Sequence, residues 1–186
     1  MEALNALNAG NVGAIKQFLG YGANQTSNAR NVDAIKQLLN YGVNPTSRTF
    51  QGRTPLHTTA GWSVFWLEEK MNLLLPTVGD QWDLDVRDNN GWSPLHFACS
   101  TGNRLGARWL LQHGASVHAR GHNTDTPLHV ACGWGKDWVI EDLVNYGADT
   151  SARMEPEDTG FSIACRLGEI EVMRRLCSGM QGGFNG

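Results

Sequence analysis

The sequence predicts a mostly α solenoid, a row of stacked helix-turn-helix units, and three observations carry that expectation. The first is recurrence. Ser93, Pro94, Leu95 and His96 return as Thr126, Pro127, Leu128 and His129 at an offset of 33, and Ala98, Cys99, Gly102, Leu110 and Gly114 return as Ala131, Cys132, Gly135, Leu143 and Gly147. A period of this length marks units that bury their apolar faces only against one another. The second is a start signal: Ser93 and Thr126 are good N-caps, and the proline behind each stands at the first helical position, where its missing N–H costs nothing. The third is punctuation. Gly102 and Gly135 interrupt each unit, a second apolar-periodic segment follows with Val139, Ile140, Leu143 and Val144 on one face, and Gly114 and Gly147 close it in the left-handed conformation. Helices this short do not persist alone in water, so stacking must hold them.

The phrase Thr126, Pro127, Leu128, His129, Val130, Ala131, with its copy from Ser93 to Ala98, resembles the ankyrin repeat, whose consensus carries T-P-L-H-x-A at the same period. The resemblance implies an ankyrin-repeat solenoid of helix pairs joined by β-hairpin loops. It also implies a non-enzymatic scaffold or adaptor that binds another protein, with no cofactor.

Dividing 186 residues by 33 gives about 5.6 units, which the chain fills as a single domain over residues 1–179. Residues 1–24 form an N-terminal cap unit, with Leu4, Ala6 and Leu7 in a first helix, Gly10 as the turn, and Val12, Ile15, Phe18 and Leu19 on the face of a second. Residues 25–44 form a truncated unit: the stretch from Arg30 repeats that from Gly10 with ten identities in fifteen, at a spacing of 20. About one helix and its hairpin are missing, either as an irregular cap or as a deletion or gene-model fault. The register recovers in 45–86, where Thr54 caps a helix with Pro55 at its first position and Leu56 and Ala60 inward. From Thr54 to Ser93 is 39 residues, so this unit carries six inserted residues, expected on loops. Units 87–119 and 120–152 are regular. The unit 153–179 keeps Thr159, Ala164, Cys165, Gly168 and Leu176, but Gly160 replaces proline and Ser162 replaces histidine, which suits a C-terminal cap with a weaker first helix. Glu169 and Glu171 early, and Arg174 and Arg175 late, complement the dipole of its second helix. Residues 180–186 have no periodicity and are expected to be a flexible tail.

The net charge of −3, from 15 basic and 18 acidic residues, offers no general attraction to nucleic acid or anionic membrane. The first residues show no basic-then-apolar leader and no apolar run approaches about 18 residues, so an intracellular monomer, in cytoplasm or nucleus, is expected. Of four cysteines, Cys99, Cys132 and Cys165 share one repeat position. Stacked helices lie about 8–10 Å apart, whereas a disulfide needs Cα atoms within roughly 4.4–6.8 Å, so this column is expected to hold reduced, buried thiols.

Several chemical readings compete with a structural one. His96 with Cys99, and His129 with Cys132, have a spacing that could share a metal, but no C-x-x-C pair accompanies them, and the resemblance makes that histidine a bond to the cap and loop backbone. Asp80, Asp83, Asp85 and Asp88 evoke a calcium loop, yet Asp88 stands where the sharp-turn glycine belongs. Adjacent Glu68 and Glu69 diverge on a helix, which argues against an acid/base pair. Arg48, Arg87, Arg120 and Arg153 each lie six residues before a cap and form a ladder that solvates the loops or holds an acidic group.

The partner site follows from the resemblance, which places contacts at the hairpin tips and at the two positions before the inter-helix glycine. Carried over, these are Phe50, Gln51, Arg53, Gly61 and Trp62, then Asn89, Asn90, Trp92, Ser100 and Thr101, then His122, Asn123, Asp125, Gly133 and Trp134, and more weakly Glu155, Pro156, Asp158, Arg166 and Leu167. Phe50, Trp62, Trp92 and Trp134 would form an exposed aromatic row, the residue class that marks interaction surfaces. The alternative is that Trp62 folds into the inserted loop and Trp134 packs on Trp138. A second function reading makes the chain a targeting module cut from a larger protein, enzymatic or not.

Overall fold

The computed structural model describes residues 48–62, 83–155 and 158–181, with Lys36, Asn40, Thr46, Met71, Asn72 and Leu74 at isolated positions; residue 62 and residues 178–181 are described by backbone alone. The expectations for residues 1–24, for most of 25–44, for Glu68, Glu69 and Asp80, and for most of the insertion lie outside these residues.

Among the continuously described residues seven helices follow in order: α1 (Pro55–Trp62), α2 (Pro94–Thr101), α3 (Arg104–Gln112), α4 (Pro127–Gly133), α5 (Asp137–Asn145), then, after a hairpin of β1 (Arg153–Met154) and β2 (Asp158–Thr159), α6 (Gly160–Leu167) and α7 (Ile170–Gln181). The hairpin is antiparallel, with Arg153 opposite Thr159 and Met154 opposite Asp158. First helices stack as α1, α2, α4, α6 and second helices as α3, α5, α7, the two-layer solenoid that the repeat register predicts.

Each first helix begins where the cap chemistry places it. Thr126 is extended at φ −100° and its hydroxyl accepts the His129 N–H, with Pro127 behind it. Leu56, Ala60, Leu95, Ala98, Leu128 and Ala131 are buried, as are Val139, Ile140 and Leu143 from the second layer. Gly102 at φ 76° ends α2, and Gly114 and Gly147 adopt φ 92° and 85° just past α3 and α5, as expected of left-handed closers.

In the last unit α6 has eight residues, and a side chain at Gly160 would stand 3.0 Å from Cys132 Sγ, so its absence lets α6 approach α4. Two local expectations change. The last helix runs to Gln181, two residues past the expected boundary at 179, which puts Arg174 and Arg175 mid-helix rather than at its end. There they pair with carboxylates instead of the dipole, Arg174 with Glu171 at 2.6 Å and Arg175 with Glu141 at 3.1 Å. Finally, Cys99 and Cys132 are free, buried thiols, but Cys165 in the same column is exposed, because no described residue stacks beyond α6.

Candidate partner-binding groove

The hairpin tips are held by bonds from each unit to the next. The Asn89 N–H donates to Gln51 O, that of His122 to Asn90 O and that of Glu155 to Asn123 O, at 3.0, 3.1 and 3.2 Å. The repeated arginines reinforce this ladder. Arg48 Nη1 donates to Arg87 O at 2.6 Å, and Arg120 Nη1 to Arg153 O at 3.1 Å, so two rungs are structural clamps between loops.

The repeated histidine does the same one layer deeper. In His57, His96 and His129 the Nδ1 atom accepts the cap backbone N–H of Thr54, Ser93 or Thr126 at 3.1–3.2 Å. That fixes the proton on Nε2, which donates into the following unit, to Trp92 O, Asp125 O and Asp158 O at 3.0, 3.2 and 3.2 Å, His129 also reaching Ala152 O of its own unit at 3.0 Å. Burial pushes all three below the ordinary imidazole range, His57 to about 4. The Cys132 thiol is pushed up to about 12 by the same desolvation. A neutral, doubly bonded imidazole beside a protonated thiol is a packed core, and no cluster of three or more His, Cys, Asp or Glu suited to a metal occurs among the described residues. The acidic stretch divides in the same way. Asp85 accepts the Ser116 N–H at 3.0 Å, while buried Asp88 accepts from the Asn90 and Trp92 N–H groups and from Arg53.

On this frame lies an open groove of about 530 Å³. Asn90, Trp92, His122, Asn123, Asp125 and Trp134 line it, together with Gly133 and Arg166, over an apolar floor of Val130, Met154 and Ile163. Eight of the residues expected at the partner site, Gly133 and Arg166 included, are thus brought together. Trp134 is 61% exposed at the rim. It is not covered by Trp138, itself 58% exposed and flanked by the guanidinium groups of Arg104 at 5.8 Å and Arg175 at 4.6 Å.

The other expected contacts divide. Phe50, Gln51 and Asn89 are exposed at a neighbouring tip, where Asn89 Nδ2 donates to Phe50 O. Arg53 is half-buried, bonded to Asp88 and lying 4.4 Å over the Phe97 ring. Ser100 and Thr101 are half-buried and turn their hydroxyls back to Phe97 O. These do not line the groove, and the side chain of Trp62 lies outside the described residues. The exposed aromatic row is corrected: Trp92 is only half-exposed, because its indole N–H donates to Asp125 Oδ2 at 2.8 Å and its ring stacks on His96. Asp125 is likewise no open contact, being buried at 7% exposure. Of the weaker set, Arg166 pairs with Asp158 at 2.7 Å and Leu167 is exposed.

The floor was missed. Val130 and Ile163 occupy the variable position inside the six-residue cap motif, and that column, Thr58, Phe97, Val130, Ile163, was the available signal.

A family profile for ankyrin repeats in three copies matches residues 3–121 and 67–154. Over 44 residues the chain is 48% identical to the human (Homo sapiens) SMC5-SMC6 complex localization factor protein 1, a stretch that is 24% of this chain but 4% of that protein. The chain therefore spans a small part of that relative's length. With the histidine bridges, the hairpin ladder and the two helical layers in place, the profile match settles the family: this chain belongs to the ankyrin repeat family.

Proposed function

We propose that the chain is a non-enzymatic protein-binding module and that the groove between the tips at Asn90 and Asn123 receives a segment of a partner protein. The family is generally one of protein-protein interaction modules and is typically non-enzymatic. One observation carries the reading for this chain: an apolar floor, a ring of hydrogen-bonding side chains and an exposed tryptophan converge in one concavity. Tryptophan at the rim of such a site is the residue type most enriched among binding hot spots. The repeated histidines argue the same way, since His57, His96 and His129 are bonded to backbone on both nitrogens. With a net charge of −3, nucleic acid is not the proposed partner, and reduced buried thiols suit an intracellular compartment, cytoplasm or nucleus.

The test is capture of partner proteins by the wild type and by Trp134→Ala combined with Asn123→Ala, with helicity measured in both. Both side chains are exposed, so the variant keeps its fold and loses at least tenfold in capture. Undiminished capture by a folded variant contradicts the groove. A second reading, a targeting module within a larger protein, draws on the relative named as a localization factor. Fusing the chain to a fluorescent reporter tests it: relocation of the reporter supports the reading, and a diffuse reporter opposes it.

A further inference from the structure

The last unit repeats the forward-packing pattern of the unit before it and leaves that pattern uncovered. In 120–152, Leu128, Cys132 and Ile140 are fully buried and Val144 half-buried. Leu128 and Cys132 face the following unit, since a side chain added at Gly160 would lie 3.0 Å from Cys132 Sγ and 3.7 Å from Leu128 Cγ. Moved on by one period, these positions are Phe161, Cys165, Met173 and Cys177. Cys165 and Cys177 are exposed, and Phe161 and Met173 are half-buried. The residues of the same unit that pack backward, Ile163, Ala164, Val172 and Leu176, are all buried. The glycines repeat the message: a side chain at Gly102 would meet Lys136 and one at Gly135 would meet Glu169, each in the following unit, while at Gly168 it would meet nothing within 4 Å. Cys165 Sγ lies 3.1 Å from Met173 Sδ, so two of these four uncharged positions touch across the two helices of the unit.

The other half of the inter-unit interface has been withdrawn from this end. A further unit in the same register would need a donor from position 162 to its hairpin, as His57, His96 and His129 supply. Ser162 instead bonds within its own unit, donating to Thr159 O at 2.9 Å and lying 3.1 Å from Asp158 Oδ1. The end face keeps the apolar helix contacts of the established interface and lacks its directional hairpin bridge. That combination suits a twofold contact, in which the same patch meets itself and the hairpins need not align. Four uncharged side chains also bring no like charges to the axis. The exposed Glu171 and Arg174 carry opposite signs at its edge.

We propose that Phe161, Cys165, Met173 and Cys177 form a self-association surface, through which two copies of this chain pack end to end.

The test is sedimentation equilibrium of the 186-residue protein in reductant, beside Cys165→Arg combined with Cys177→Arg, with circular dichroism of both. The wild type is expected to dimerise, and the variant to stay monomeric with unchanged helicity because both side chains are exposed. A second readout needs no variant: alkylation of the Cys165 and Cys177 thiols slows several-fold as wild-type concentration rises through the dimerisation range. A wild type that stays monomeric, as the sequence alone suggested, with alkylation independent of concentration, overturns the proposal. So does a dimer that survives in the arginine variant.

Discussion

His57, His96 and His129 each bond backbone with both ring nitrogens, one within the unit and one in the next, where Trp92, Asp125 and Asp158 accept. A proton on Nδ1 would face the cap N–H that it now accepts, so these groups must stay neutral for the stack to hold. Their folded pKa values lie below the unfolded value of 6.5, His57 at about 4, so the unfolded chain binds more protons between those limits. Stability is therefore full above pH 6.5 and falls as pH drops towards 4, by on the order of 3 kcal/mol for His57 alone. Urea unfolding across that window measures the slope, and a flat profile would remove the buried-histidine account. A second prediction concerns strain. Gly52 and Gly91 take φ 76° and 75° in their hairpins, and the same position in the next unit is Thr124 at φ 58°. A β-branched residue there is costly. Thr124→Gly relieves that strain and gives up one exposed bond, to the Glu155 N–H, so thermal unfolding should show a gain of about 1 kcal/mol.

At the scale of the element, each first helix depends on its cap and its inward leucine. Thr126→Ala removes the hydroxyl that accepts the His129 N–H and should cost about 1 kcal/mol. Leu128→Ala opens a cavity at a position 1% exposed and should cost about 2–5 kcal/mol. The second layer adds an ionic cross-tie. Asp142 is buried and takes Arg104 through two bonds, at 2.6 and 3.0 Å, with Arg108 at 3.3 Å, so α3 and α5 are joined at their surfaces. Asp142→Ala should lower stability by roughly 1.5–3 kcal/mol in chemical denaturation. Caps, inward leucines and glycine closers were legible in the sequence because each is fixed by spacing within one unit. The Trp92–Asp125 bond was harder to see, because its partners sit in successive units. They do share one column, with Arg53 before them and Asp158 after, and reading down columns as well as along units would have exposed the pair. The six inserted residues were expected as four between the helices or within the second one and two in the loop from Trp82 to Asp88, and most of that segment lies outside the described residues.

Across the whole molecule the units touch mainly their neighbours, so protection should follow position in the stack. Amide hydrogen exchange is expected to be slowest in α2 to α5, which have neighbours on both sides, and faster in α7, whose outer face is open. Equal protection in α7 and α5 at low protein concentration would show that the end is covered in the single chain. The architecture was readable at this scale because one period governs core and loops alike. The groove was readable only as positions: which tips converge depends on the twist between units, and it left Phe50 and Arg53 outside while gathering Asn123, Trp134 and Arg166. The claim that this concavity is the binding surface is tested most directly by photo-crosslinking, with a photoreactive side chain placed singly at Asn123, at Trp134, or on the outer helix face at Arg108 or Gln112. Crosslinks to one partner protein from positions 123 and 134, and none from 108 or 112, are the predicted result. The same partner captured from the outer face, with the groove positions silent, would contradict it.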